Sequence, residues 1–450
     1  MVPEEQTYIE TSGVIPDLLA LHESNSKRYP FLLESSARHE LTGRFDLLFA
    51  FPGESLVATP TADEDHPPFL QTLKSWWSRE RGQHAPRDDW PFWGGWFLFL
   101  SYELAGEIEP SLHLPAPRTP MLPTAKAVRC PAAVIVDHVR AQSAIVAESQ
   151  EMLDQIRTDL TKLTPEPGSP FPTCRLTEEP AEKYLDRIRR AKHYIREGDI
   201  FQANLSRSWH ACYSRPISAA ALYRRLKHSN PAPFSGLAML DDRAVISTSP
   251  ERLVSVRGGR VDTRPIAGTR PRSADRDQDE ALLTELITHP KERAEHVMLI
   301  DLERNDLGRI CKPGSVQVSE MMTVESYAHV HHIVSNVIGT LQDDMTPVDV
   351  IQATFPGGTI TGCPKVRCME IIAELEGEGR GLYTGSMGYL SRDGQMDLNI
   401  LIRSALLSED QVFFRTGGGI VADSDPEHEL RETRAKARGL LAGLNRQTNR

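Results

Sequence analysis

Two carboxylates and one ammonium fall at i, i+3 and i+7 near the C-terminus: Glu429, Glu432 and Lys436. That spacing puts them on one face of a helix. Just upstream stand Gly417, Gly418 and Gly419, whose N–H groups are screened by no side chain. Acidic oxygens and an ammonium beside bare amides suit a hard divalent cation and an anionic small molecule together. Rows of this kind are usually solvated faces, so their chemistry depends on what the rest of the chain brings beside them. Glu295 offers a third carboxylate from a separate segment. Oxygen ligation with few protein groups and room for water points to Mg²⁺ rather than Zn²⁺.

Three further positions could act with this row. Glu251, in Ser249-Pro250-Glu251-Arg252, precedes an expected strand; burial there would raise its pKa and make it a general acid, with capping or an ion pair as the alternative. His332 lies on an apolar strand, where a histidine satisfied by a backbone carbonyl is the common outcome. The run 356–365, Pro-Gly-Gly-Thr-Ile-Thr-Gly-Cys-Pro-Lys, is a glycine turn opening a helix and resembles an anion cradle. It lacks the Gly-Lys-Ser/Thr ending of a phosphate loop, so no nucleotide is implied. Residue chemistry alone therefore leads to a Mg²⁺-dependent enzyme acting on a small carboxylate.

The elements that must position these groups are legible in part. Asp425 and Pro426 suit the N-cap and first turn of a helix. Leu430, Thr433, Ala437, Leu440, Leu441 and Leu444 form its core stripe. A helix is expected over 183–197, with Tyr184, Ile188, Ala191 and Ile195 inward and Gly198 as its stop. Phe201, Ala203 and Leu205 alternate with Gln202, Asn204 and Ser206, which predicts a half-buried strand with a polar face. Gly258-Gly259 marks a hairpin between strands at 253–256 and 260–264. Residues 280–303 read as helix interrupted at Pro290, with Glu295, Met298 and Leu302 on one face. Strands then alternate with Gly/Asp turns from 382 to 420.

The chain has 450 residues, more than one ordinary core requires. A proline-rich stretch, 161–180, separates a first block (1–160) from a second (181–445), and 59–68 reads as a loop. With 40% hydrophobic and 25% charged residues the composition is that of a soluble protein. A net charge of −11 argues against a general nucleic-acid surface. Trp96–Leu100 is too short to span a membrane and reads as a buried strand. The acidic start, Met-Val-Pro-Glu-Glu, has no signal-peptide character. Six cysteines without zinc-type spacing fit reduced thiols in the cytoplasm.

Several longer runs resemble the chorismate-utilising enzymes: Ser249-Pro250-Glu251, Pro265-Ile266-Ala267-Gly268-Thr269, Ala294-Glu295-His296, 301–306 (Asp-Leu-Glu-Arg-Asn-Asp), 357–365, 385–403 and 417–436. They follow the family order over 183–440, and the first block resembles the N-terminal part of the family's two ammonia-using synthases. The resemblance implies an α+β fold, with two orthogonal antiparallel sheets sandwiched between helices and the site between the sheets. It implies that Glu295 and Glu432 bind Mg²⁺ with help from Glu429, and that Glu251 protonates the departing C4 hydroxyl of chorismate. Tyr383, Arg403 and the Gly417–Gly419 amides would hold the enolpyruvyl carboxylate, with Gly268, Thr269, His332, Thr359 and Lys436 lining the rest.

By the same resemblance, relatives that add water carry a lysine base at the position matching Gln202. Glutamine cannot be that base, so amination is implied, with ammonia from a separate glutaminase subunit. Asn204 in 201–205, Arg44–Leu47, Ala232–Ser235, Val330–His332 and 356–362 resemble the branch that makes 4-amino-4-deoxychorismate for p-aminobenzoate and folate. Against this, Ala267 replaces that branch's lysine nucleophile and resembles the branch making anthranilate and pyruvate. Leu32-Leu33-Glu34-Ser35 resembles a tryptophan-pocket motif, but its companion here is Asn230-Pro231-Ala232-Pro233-Phe234-Ser235, so strong tryptophan feedback is not expected. A silent metal-dependent binding or scaffold subunit is the reading from another class. The intact set of Glu251, Glu295, Glu429, Glu432, Arg403 and Lys436 argues against it.

Overall fold

The computed structural model describes residues 7–37, 42–59, 67–82, 90–117, 122–163, 171–273, 275–327 and 330–445. Most of the loop expected at 59–68, and positions 164–170 of the proline-rich stretch, lie outside the described residues.

Two large antiparallel sheets and the helices on their outer faces make an α+β architecture, as expected. Among the described residues one sheet has twelve strands and the other ten. Both sequence blocks contribute to each. Phe31–Glu34 pairs with Phe234–Leu240 in the first sheet, and Gly95–Leu100 pairs with Ser386–Ser391 in the second. The change in composition near 160–180 is thus a boundary along the chain and not between layers.

The unbroken apolar run Trp96–Leu100 becomes a strand buried on both faces, because its sheet carries apolar layers on each side. Between the sheets lie Phe31, Phe49, Phe97, Phe99, Ile135, Val245 and Tyr389, with Phe31 and Phe97 stacked at 4.0 Å. Helices Ala219–Ser229 and Pro426–Asn445 cover the outer face of the first sheet. Phe69–Glu80, Pro290–Gly308 and Pro347–Thr354 cover that of the second.

Local signals place the elements that carry the chemistry. Asp425 accepts from the His428 amide at 2.8 Å and caps the C-terminal helix. Leu430, Thr433, Ala437, Leu440 and Leu444 are buried on it, each large side chain contributing about 2 kcal/mol. Gly198 ends helix Ala181–Glu197 at φ 85°. Gly258 and Gly259, at φ 58° and 76°, form the hairpin turn. Pro290 starts a new helix after His289, so the expected interruption separates Arg276–Thr288 from Pro290–Gly308.

Two expectations need correction. The strand near 201–206 runs from Gln202 to Tyr213, and Phe201 stays outside it, 71% exposed. Its polar face is not solvated: Gln202 and Ser206 are buried, because that face meets the sandwich interior while Ala203 and Leu205 lie under helices Ala181–Glu197 and Lys365–Glu376. The proline-rich stretch also contains a strand, Cys174–Glu178, paired with Trp209–Tyr213.

Candidate active site

A break in the twelve-stranded sheet creates the site. Strand Ser404–Ser408 pairs with Gln411–Ile420 only from Ala405↔Phe414 to Ser408↔Gln411. On its other side Gln411–Ile420 stays paired with Gln202–Tyr213 as far as Ile420. Gly417–Gly419 therefore keep one edge without a strand partner among the described residues, leaving amides for a ligand.

Gly417 and Gly419 are required by what crowds them, while Gly418 faces the charged row at ordinary contact distance. A Cβ at Gly417 would lie 2.3 Å from the Leu205 carbonyl and 2.8 Å from the Tyr383 hydroxyl. At Gly419 it would lie 2.2 Å from Gln202 Nε2 and 3.3 Å from Glu295 Oε1. At Gly418 it would meet Glu429 Oε2, Lys436 Nζ and Glu432 Oε1 at 3.5, 3.6 and 3.9 Å. Lys436 Nζ donates to the Gly417 carbonyl at 3.0 Å and pairs with Glu432 at 2.7 Å. Burial pulls the Lys436 pKa down, but Glu432 and its neighbours outweigh that and hold it above the usual value. Gln202 Nε2 donates to Glu295 Oε1 at 3.0 Å. Thus Gln202, Glu295, Tyr383, Glu429, Glu432 and Lys436 converge on three residues of bare backbone. Among the described residues no three His, Cys, Asp or Glu side chains are close enough to hold a metal ion by themselves.

Glu251 follows strand Arg243–Ser249 and is buried, accepting the Thr359 hydroxyl at 2.7 Å. Burial pushes its pKa up to about 7, against the opposing pull of Thr359, the Ile266 amide, Arg403 and Lys436. A carboxyl with that pKa is protonated in part at neutral pH and can give its proton to a leaving group. Thr359 sits in the short turn Gly358–Ile360, where Leu302 packs so tightly that a Cβ on Gly358 would fall 2.2 Å from it.

Arg403 takes φ 50°, unusual without glycine. Burial lowers its pKa, with Glu251 opposing. Its guanidinium makes no hydrogen bond or ion pair with any described side chain, so a planar fork is left for an incoming carboxylate. His332, buried on strand Val330–Thr340, shares a 2.9 Å hydrogen bond with the Thr269 hydroxyl. Burial and then Arg403 pull its pKa down to about 3, which keeps the imidazole neutral. Gly268, at φ 64°, forms the bulge that brings Thr269 opposite His332.

Sequence reasoning missed the support behind the glycine strand. Buried Glu376 accepts from Arg380 at 2.7 Å, Arg415 at 3.0 Å, and the Ser206 amide and hydroxyl at 2.8 and 2.9 Å. Burial alone would raise its pKa, but the two guanidiniums bring it down to about 2. The spacing of Glu376 and Arg380 on neighbouring turns is a weak signal, common on solvated helices.

A cavity of about 460 Å³ lies away from these groups, lined by Glu34, Arg44, Phe45, Phe234, Arg252 and Tyr389 among others. Glu34, from the tryptophan-pocket-like motif, is already engaged by Tyr223 at 2.6 Å and Lys227 at 2.8 Å.

An enzyme that binds a small anionic ring fits this two-sheet fold with its acid, fork and bare amides. The chain belongs to the chorismate binding enzyme family, whose model matches residues 29–442. It is 42% identical over 419 residues to an anthranilate synthase component I-like protein from Synechocystis, covering 92% of this chain and 86% of that protein. It is 47% identical over 283 residues to aminodeoxychorismate synthase component 1 from Bacillus subtilis, covering 63% and 59%. The crystal structure of anthranilate synthase component I from Streptococcus pneumoniae superposes with a TM-score of 0.79 at 32% identity, covering 90% of this chain and 93% of that one. The chain is a chorismate-utilising enzyme. No described helix is long and apolar enough to cross a membrane.

Proposed function

We propose that this enzyme aminates chorismate, in the cytoplasm, to give 4-amino-4-deoxychorismate, with ammonia supplied by a glutaminase subunit. The observation that carries the chemistry is Glu251: a buried, Thr359-bonded acid with a pKa of about 7 beside the Arg403 fork, which pairs with no described side chain. Glu251 gives its proton to the C4 hydroxyl as that group leaves. Arg403, Tyr383 and the Gly417–Gly419 amides hold the enolpyruvyl carboxylate, and neutral His332 with Thr269 and Gly268 borders the ring. Glu295, Glu429 and Glu432 are the oxygen donors that would hold Mg²⁺, with water and substrate completing its coordination. Bound there, Mg²⁺ supplies positive charge that binds the ring carboxylate and eases departure of the hydroxyl. Asn204 beside Gln202 supports the C4 product.

Ala267 favours a second reading, anthranilate with pyruvate. It is buried in strand Ile266–Pro271 opposite Ile333 and offers no nucleophile for a route through the enzyme. Chorismate, ammonium and Mg²⁺ incubated with purified protein separate the two. p-Aminobenzoate formed only after adding an aminodeoxychorismate lyase supports the first reading. Anthranilate formed without the lyase overturns it in favour of the second.

A further inference from the structure

The strand pair that carries the glycine run continues past it, and its inner face opens a second time. Ser206 pairs with Gly417, Ser208 with Arg415 and His210 with Phe413. Alternate residues share a face, so these pairs form one row, the last about 13 Å from the first. The His210 and Phe413 rings are stacked, with centroids 4.5 Å apart and planes inclined by 11°. Both are only half-buried. They border a cavity of about 370 Å³, which Leu382, Leu406 and Tyr383 also line. Small-molecule sites occupy ~300–1,000 Å³. The cavity shares no lining residue with the one around Glu34.

Its charges are matched except at one point. Arg187 holds Glu179 at 2.9 Å, Arg434 holds Glu178 at 2.8 Å, and Arg415 holds Glu378 at 2.7 Å. Arg380 is bound to Glu376 at 2.7 Å. Lys183, in the first turn of helix Ala181–Glu197, also lines the cavity, and its ammonium pairs with no described side chain. A flat π surface between apolar walls, with one cation to spare, complements a planar ring that carries a single negative charge. The cavity also shares a wall with the active site. Tyr383 lines it, yet the Tyr383 hydroxyl lies 2.8 Å from where a Cβ on Gly417 would stand.

We propose that this cavity is an accessory site for an aromatic monocarboxylate, with the ring against His210 and Phe413 and the carboxylate beside Lys183, coupled to the active site through Tyr383. Binding does not depend on which product the enzyme makes. The coupling alone rests on the reading that Tyr383 holds the substrate carboxylate. An acid bound behind Tyr383 changes how that side chain meets chorismate, and chorismate changes the affinity for the acid by the same factor.

Titration calorimetry of the full chain with 4-aminobenzoate and with anthranilate, in Mg²⁺ and without ammonium, tests this. Each acid is titrated alone and then at rising fixed concentrations of chorismate. Binding of either acid should survive saturating chorismate, with a dissociation constant that shifts by a limited factor and then levels off. No binding of either acid overturns the site. So does a constant that climbs in proportion to chorismate, which would put the acid in the active site. A constant that chorismate does not move overturns the coupling. Lys183→Ala should weaken binding about three- to fivefold, the range for an exposed ion pair, while neutral 4-aminobenzamide should bind this variant and wild type alike. His210→Ala should weaken the acid and the amide about tenfold through loss of ring stacking. Lys183 is exposed, so its variant carries the test if the His210 variant does not fold. Unchanged affinity in folded Lys183→Ala overturns the placement of the carboxylate. Failure of the amination reading shows in the product assay and leaves the binding result standing.

Discussion

Thr359 donates its hydroxyl proton to Glu251 Oε1 at 2.7 Å, and this bond lowers a pKa that burial raises. The acid is therefore poised by two opposed effects, and each can be changed separately. Removing the Thr359 hydroxyl should move the Glu251 pKa upward. In Thr359→Val the basic limb of the kcat profile, where the acid is lost, should shift to higher pH than in wild type. An unshifted limb in an active variant would show that another group sets it.

Glu251→Gln should lose activity by about 10²–10⁴-fold, the usual range for a general acid. Its stability should change in the opposite sense. A carboxyl whose pKa rises from 4.5 to about 7 on folding is protonated in the native state and ionised in the unfolded state between those values. The unfolded state then binds fewer protons, so stability falls as pH rises through that window and stays low above it. The difference of about 2.5 units corresponds to about 3 kcal/mol. Glutamine carries no such penalty, so Glu251→Gln should melt higher than wild type at pH 8 and converge with it near pH 4. Calorimetry at the two pH values checks this.

Much of the site's frame was legible because its signals are local. Asp425, Pro426 and the stripe from Leu430 to Leu444 announce a helix within a few residues of each other, as Gly258-Gly259 announces a turn. Strand neighbours were not legible. Nothing near Gly95 or Ser386 says that these strands pair, so the first block could be read as separate although it is woven into both sheets. Gln202, Asn204 and Ser206 alternate visibly with apolar residues, but burial of the polar face depends on Glu295 and Glu376, which arrive from distant segments. Glu376 itself looks like any charged helix residue until Arg415 crosses over it.

Arg403→Lys should raise the KM for chorismate by about tenfold or more, since an ammonium cannot reproduce a two-pronged carboxylate contact. Fold stability should be little changed, because the guanidinium makes no ion pair with described residues. Substrate titration and a melting curve on the same preparation separate the two effects.

Chelation with EDTA should abolish turnover, and Mg²⁺ should restore it. Glu295→Gln and Glu432→Gln should each raise the Mg²⁺ concentration for half-maximal activity, because a neutral amide is a weaker ligand for a hard cation. Equal Mg²⁺ requirements in wild type and both variants would remove these residues from the metal site.

The glycine run offers a graded test of what its empty space is for. In Gly417→Ala the new methyl would lie 2.3 Å from the Leu205 carbonyl, a backbone atom that cannot move without opening the pairing with strand Gln202–Tyr213. This variant should be the least stable, since overpacking against fixed atoms costs about 1–3 kcal/mol. Gly419→Ala meets Gln202 Nε2 at 2.2 Å, a side-chain atom that can swing aside at the expense of its bond to Glu295. Here activity should fall more than stability. Gly418→Ala makes only ordinary contacts of 3.5 Å and longer, so the fold should tolerate it. Melting temperatures should rank 418 above 419 above 417. If Gly417→Ala melted like wild type, the glycine edge would be open on that side, and close packing against Leu205 would not explain its composition.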